Sequence, residues 1–332
     1  MITQSKIIRS PTTTFSNLVA YQFYHSLSPT PHQPPTKSLQ LRECCNITFI
    51  LVVTATPLYY STMASYEVFS RIQPHEYLRR FLDQSIRPDG RPLDRFRKTL
   101  ITTDSIAAAD ASAMVRLGGT AIVCGIKAEV CEPHVERPDQ GYLVPNVELS
   151  PMCSSKFRPG PPPESAQAIS QLIHELFSSC NILPLESLCI ESGKAVWVLY
   201  ADIVCLNYDG NITDASLLAL TAALNKLTLP KASVSESMVV EADASDRVPI
   251  KLARVPVAST FCVFQQPYAV LSDPNEAEES LSRETVTVVL DTTGQLCMVH
   301  KNGGNSVPMD TFKACFDRAS ERTSQIAVLL LK

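Results

Sequence analysis

From residue 74 onward, hydrophobic and polar positions alternate with the periods of helices and strands. Tyr77, Leu78, Phe81 and Leu82 share one helical face and predict a short helix over 74–84. The turn-rich Arg87-Pro88-Asp89-Gly90-Arg91-Pro92 ends it. Strand patterns follow over 98–103, 112–117 and 120–130. Gly118-Gly119 between the last two predicts a two-residue hairpin turn with positive φ at both glycines. Beyond Pro161-Pro162-Pro163, residues Ile169, Leu172, Ile173, Leu176, Phe177 and Cys180 recur on one face of a long amphipathic helix. A strand pair over 187–191 and 195–206 comes next. The turn Asp209-Gly210-Asn211 then leads to a second helix over 214–229, with Leu217, Leu220, Thr221, Leu224 and Leu227 as its buried face. Strands over 235–241 and 260–265, a Pro- and acid-rich loop over 272–284, and strands over 285–291 and 295–300 precede a last helix from Pro308. Its inner face is Phe312, Cys315, Phe316, Ala319, Thr323 and Ile326.

Strand clusters alternating with amphipathic helices predict an α/β (α+β) fold of helices packed on mixed sheets. Nothing in the pattern divides residues 63–332 into separable domains. Residues 1–62 are rich in Ser, Thr and Pro and are expected to be disordered, or an extension ahead of a start at Met63. An organelle transit peptide and a signal anchor are the alternatives. The apolar stretch over 47–60 is shorter than the roughly 20 residues of a membrane span and is broken by Pro57, so no membrane partner is expected.

With 332 residues, 45% of them hydrophobic, the chain can close a substantial core. Charge is uneven. Residues 1–62 hold four of the 29 Lys and Arg and one of the 33 Asp and Glu, which leaves 25 bases against 32 acids, about −7, in the remainder. Such a body lacks the broad basic surface of an autonomous nucleic-acid binder, so any nucleic-acid contact is expected to be local or shared. The eleven cysteines are scattered without paired C-x-x-C spacing, the usage of a reducing compartment, and predict neither a disulfide framework nor a metal site. His75, His134, His174 and His300 have no ligand spacing. No metal or cofactor is expected.

Five stretches resemble, in order and spacing, the RNase PH family and within it the exosome ring subunits. They are Arg87-Pro88-Asp89-Gly90-Arg91; Leu117-Gly118-Gly119-Thr120-Ala121-Ile122-Val123-Cys124-Gly125; Val144-Pro145-Asn146-Val147-Glu148-Leu149-Ser150-Pro151; Asp209-Gly210-Asn211 with Asp214-Ala215; and Asn302-Gly303-Gly304. The resemblance covers about residues 74–332. It implies an RNase PH-like fold of duplicated β-α-β units with mixed sheets, six of which form a ring around a pore. The partners it implies are other RNase PH-like ring subunits in a hetero-hexamer, S1/KH-type cap subunits, a separate catalytic exoribonuclease, and RNA passing through a shared channel for 3'-5' processing and degradation. The compartments it implies are nucleus, nucleolus and cytoplasm.

Active members of this family cleave the last phosphodiester of RNA with inorganic phosphate, which demands fixed cations around the anion. The resemblance places one phosphate-binding triplet, Gly-Thr-Arg in active members, at Asn211-Ile212-Thr213, where the guanidinium is missing and Asp214 is expected to repel phosphate. It places a second phosphate-binding Arg at Ser165, and the catalytic acid at Thr285, with Glu284 adjacent. The chain is therefore expected to be catalytically inactive. An active phosphate-dependent exoribonuclease and a stand-alone RNA-binding protein are the alternatives.

Other candidates come from the residues themselves. Lys156-Phe157-Arg158 combines cations with a stackable ring and is a candidate RNA contact. Arg79, Arg80, Arg87 and Arg91, with Arg95, Arg97 and Lys98, form a locally basic stretch expected to face a neighbouring subunit. Asp273, Glu276, Glu278 and Glu279 are expected to be a solvated loop. Asp202 is expected within a strand and Asp209 at a turn, not as a catalytic pair.

Overall fold

A computed structural model describes residues 68–235 and 240–330. The chain clusters into two units, residues 1–68 and 69–332, and the expectations for residues 1–62 lie outside the described residues. The second unit contains α1 (Pro74–Leu82), β1 (Thr99–Thr103), β2 (Ala111–Leu117), β3 (Thr120–Cys131), β4 (Tyr142–Glu148), α2 (Glu164–Cys180), β5 (Cys189–Glu191), β6 (Ala195–Asn207) and α3 (Ile212–Lys226). It continues with β7 (Thr228–Val234), β8 (Val240–Pro249), β9 (Pro256–Gln265), β10 (Tyr268–Ser272), α4 (Glu276–Leu281), β11 (Glu284–Asp291), β12 (Leu296–Lys301) and α5 (Met309–Leu330).

The first sheet runs β1-β2-β3-β6-β4 with β5 also on β6, and the second runs β10-β9-β11-β12; β7 and β8 form a hairpin. The β2–β3 turn closes Leu117 on Thr120, but only Gly118 has positive φ, at +58°. This corrects the expected pair of positive φ values to the pattern of a type II′ turn, which needs it at the first central position alone. Strand β4 was not foreseen, because Pro145 and Asn146 interrupt its alternation. It lies at the sheet edge, parallel to β6, where a proline removes no ladder hydrogen bond. With α2 as the crossover, β4 and β6 form a parallel β-α-β unit.

Helix α3 fills the centre, packing on β2 and β3 of the first sheet and on β9 of the second. Twelve of its fifteen residues are buried, so the expected single buried face is replaced by burial all round. That burial erases the apolar stripe from which boundaries are read. The helix begins at Ile212 instead of Asp214 and ends at Lys226. Leu227 is buried just beyond it, and Leu229 is buried in β7. Ala215, Ser216, Ala219, Ala222 and Ala223 keep the helix slim where both sheets approach it. The strand expected over 235–241 is displaced: β7 ends at Val234, β8 begins at Val240, and residues 236–239 lie outside the described residues.

A second core region joins Phe261, Val286, Val288 and Leu290 of the four-stranded sheet to Cys315 and Ala319 of α5. The nine described cysteines are free, with Cys124, Cys153, Cys205, Cys262 and Cys315 buried. Among the described residues no helix is long and apolar enough to cross a membrane.

Candidate functional site

The motif residues converge at the head of α3. The Thr120 hydroxyl donates to the Gly210 carbonyl at 2.7 Å, which ties the β2–β3 turn to Asp209-Gly210-Asn211. Gly210 has φ +73°, and a Cβ there would lie 2.5 Å from the Asn275 carbonyl carbon. Only glycine fits this crossing. Asn211, the N-cap, is held in the left-handed region at φ +53°. Its backbone N–H donates to Glu279 Oε2 at 3.1 Å. Its side-chain amide donates to Asp214 Oδ2 at 2.8 Å and to Asp273 Oδ1 at 2.7 Å. Asp214 also accepts from the Thr260 backbone N–H at 2.9 Å and the Thr260 hydroxyl at 2.6 Å. Its carboxylate thus points into the interior toward β9, which corrects the expectation that it faces an incoming anion. Burial pushes it up to about 6, with the hydrogen bonds from Thr260 and Asn211 offsetting part of the rise. Burial likewise raises Glu279, offset in part by the Asn211 N–H.

Two buried arginines hold the facing loop. Arg97 donates to both Asp273 oxygens, Nε to Oδ2 at 2.9 Å and Nη2 to Oδ1 at 2.8 Å, and Nη1 reaches the Asp209 carbonyl at 2.7 Å and its carboxylate at 3.1 Å. Burial pushes Asp273 up, but the Arg97 guanidinium holds it below the usual carboxylate range. Arg87 donates to Glu278 Oε1 at 2.8 Å, to Glu278 Oε2, and to the Ser272 and Asp273 carbonyls at 2.7 and 3.0 Å.

These contacts overturn two expectations. Arg87 is fully buried within its own chain and faces no neighbouring subunit. The acidic run is no solvated loop, because Asp273 and Glu278 are buried, and Asn275 with Glu278 forms a reciprocal cap on α4. Sequence reading missed the pairing because its partners stand nearly 200 residues apart. The matching signal was there, a run of arginines over 87–97 and a run of acids over 273–279, each needing the other.

The other candidates are dispersed. Ile212 is buried and Thr213 half-buried in the first turn of α3, while Ser165 is exposed in the first turn of α2. Glu284 is buried and accepts from Gln265 Nε2 at 2.9 Å, and its Oε1 has no partner. Thr285 is half-buried opposite Cys262. Neither Ser165 nor Glu284 shares a described hydrogen bond with the head of α3. Phe157 is half-buried and packs edge-to-face on Tyr208 at 5.3 Å, so it is not the free stacking ring the sequence suggested; Lys156 Nζ sits 5.4 Å from the Tyr208 ring centre. Lys156 and Arg158 are exposed. Arg79 and Arg80 are exposed beside Glu76, and Arg91 is held by Asp89. Asp202 accepts from Asn146 at 3.3 Å, away from Asp209.

Chemically, the head of α3 gathers Asp209, Asp214, Asp273, Glu278 and Glu279 around Arg87 and Arg97, whose donors are spent on those acids and on backbone carbonyls. A helix N-terminus that would suit an external anion is met by the chain's own Glu279.

Residues 95–230 match the 3' exoribonuclease family, domain 1, and residues 254–322 match its domain 2. The chain belongs to the RNase PH family. The RNase PH chain is 41% identical over 257 residues to the exosome complex component rrp43 of Schizosaccharomyces pombe, spanning 77% of this chain and 94% of that relative. It is 34% identical over 272 residues to the exosome complex component Rrp42 of Thermococcus gammatolerans, spanning 81% and 98%. Among solved structures it is similar to a chain of the Archaeoglobus fulgidus exosome with RNA bound to the active site, with TM-score 0.68 and 31% identity over 76% of this chain and 95% of that one. It is also similar to a chain of an archaeal exosome core, with TM-score 0.64 and 28% identity over 77% and 96%.

Proposed function

We propose that this RNase PH chain is a non-catalytic ring subunit of an RNA exosome core, working in the nucleus, nucleolus and cytoplasm in 3'-5' RNA processing and degradation, ribosomal RNA included. One observation carries the reading. Where the family resemblance puts a phosphate-binding guanidinium, the Asn211 N–H is taken by Glu279 and the arginines nearby are bound to Asp273, Asp209 and Glu278. Phosphorolysis requires a phosphate dianion held beside a phosphodiester, and a site whose acids outnumber its free cations repels both. Losing a single charged transition-state contact costs about 10²–10³ in rate; this site offers neither arginine. The chain then contributes architecture, pairing with other RNase PH-like subunits, carrying S1/KH-type caps, and passing RNA to a separate exoribonuclease, with exposed Lys156 and Arg158 as the local RNA contacts.

The test is reconstitution with the five other ring subunits of the same organism, followed by incubation with RNA and inorganic phosphate. The chain is expected to enter the ring and to release no nucleoside diphosphate of its own. Release that disappears in a ring carrying Glu284→Gln would assign activity to this subunit and overturn the reading. Elution as a monodisperse monomer that ignores the other subunits would overturn it as well.

A further inference from the structure

Arg87 and Arg97 are buried with their donors saturated by carboxylates and carbonyls, whereas Arg322 of α5 is buried without such partners. It is 8% exposed, its one hydrogen bond among the described residues goes to the Thr99 hydroxyl, and its guanidinium lies 4.9 Å from the centre of the Phe96 ring. No described carboxylate comes within ion-pair distance of it. Burial pushes this guanidinium down, and the more distant Asp273 and Asp214 charges counter that only in part. A guanidinium carries five donors, and a buried charge is stable when something of opposite sign completes it.

Arg322 forms part of a cleft of about 510 Å³ between the segment 94–99 and α5. Arg95, Lys98 and Arg318 also line it, against the acids Asp94 and Glu321; Arg97 is spent on Asp273 and Asp209. Four cations to two acids make this a patch of reversed sign on a net-acidic body. The cleft adjoins β1, whose one strand partner among the described residues is β2 and whose Leu100 is half exposed.

We propose that this cleft receives a carboxylate side chain from an acidic segment of a neighbouring ring subunit, with Arg322 gripping it in its planar fork and Arg95, Lys98 and Arg318 drawing the segment in. The neighbour's identity as a ring subunit rests on the functional reading above; the receptor chemistry rests on Arg322. The edge of β1 that no described strand pairs offers main-chain partners to an extended protein segment, and RNA affinity comes from many phosphate contacts along a track, not from one deep arginine.

Zero-length carbodiimide cross-linking of the reconstituted ring, read by peptide mass spectrometry, is expected to join the Lys98 amine to an Asp or Glu of a neighbouring subunit. Arg322→Met is expected to weaken entry into the ring at least about tenfold while the free chain melts at the same or a higher temperature, since an uncompensated buried charge is gone. A purely structural arginine would do the reverse, lowering the melting temperature and leaving assembly intact. The surface variant Lys98→Gln is expected to weaken assembly more at low salt than at high salt. A ring that forms normally with Arg322→Met, a Lys98 without any link to a neighbour, or ultraviolet cross-links from Phe96 to RNA would each overturn the proposal. A wild-type chain that enters no ring would instead sink the functional reading on which the neighbour depends.

Discussion

The Arg87 guanidinium and the Glu278 carboxylate, 191 residues apart in sequence, meet in an ion pair whose side chains are 0% and 1% exposed. Removing one partner strands the other in a place water does not reach. Glu278→Ala is expected to cost about 3–5 kcal/mol in urea unfolding, whereas the double change Arg87→Met, Glu278→Leu should recover most of it. A loss below about 1 kcal/mol for the single variant would mean that the pair does not hold the second half of the chain in place.

Gly119 and Gly210 both approach their neighbours too closely for a side chain, but what they approach differs. A Cβ at Gly119 would lie 2.5 Å from the Asp209 carboxylate, which can rotate on giving up Arg97, and 2.9 Å from the Asp209 Cβ, which needs a small shift, while one at Gly210 would meet the backbone of Asn275 and Glu276 at 2.5 and 2.6 Å. Gly210→Ala also strains its φ of +73°. It is expected to cost roughly 3 kcal/mol or more, and Gly119→Ala roughly 1–2 kcal/mol. Equal losses by thermal unfolding would contradict the difference.

Asp214 gives the protein a stability gradient in mildly acid solution. In the unfolded chain it ionises near 3.8, and in the folded one near 6, so between these values the native state holds a proton that the unfolded state has lost. Its contribution is therefore greatest below about pH 4 and declines as pH rises through 6. Glu279 is shifted in the same direction; Asp273 is shifted oppositely and matters only in stronger acid, below its ordinary value. Stability is expected to be higher at pH 5 than at pH 7 by about 1 kcal/mol from Asp214. Asp214→Asn should remove most of that difference in denaturant titrations at the two pH values.

Inorganic phosphate should leave the thermal unfolding of the Arg322→Met chain unchanged. A site filled at roughly 100 times its dissociation constant stabilises the native state by about 2.7 kcal/mol, a shift of several degrees. Because Glu279 already occupies the Asn211 N–H and the arginines are bound to the chain's own acids, phosphate has no seat at the head of α3. A phosphate-dependent rise in melting temperature that survives Arg322→Met would place an anion there after all.

Local regularity explains what could be read from the sequence. Helix α2 was visible because it has one face in the core and one in water, so period and burial coincide; the β2–β3 hairpin was visible because Gly118-Gly119 marks a turn between two apolar runs. Helix α3 lost that signal by being enclosed on every side. Strand β4 lost it to Pro145 and Asn146 at a sheet edge. That Asn211-Ile212-Thr213 holds no arginine is plain in the sequence, and it was the family resemblance that implied one there. The seat taken by Glu279 was not plain, since it depends on the β10–α4 connection folding back over α3. Asp273 and Glu278 looked solvated because hydropathy counts each charge singly. Their burial is made possible by Arg97 and Arg87, and that pairing is a property of the tertiary structure.

The same long-range pairing sets a schedule for the chain's birth. The segment around Arg87 leaves the ribosome well before its counter-charges at Asp273 and Glu278 exist, and at roughly 5–20 residues per second the interval is on the order of 10–40 s. Through that time Arg87 lacks Glu278 and Arg97 lacks Asp273, the carboxylates that accompany their burial, and half of a core is open to solvent. A chain that ends before residue 273 would lack these partners and β11 and α5 of the second core region, so it is expected to stay unfolded.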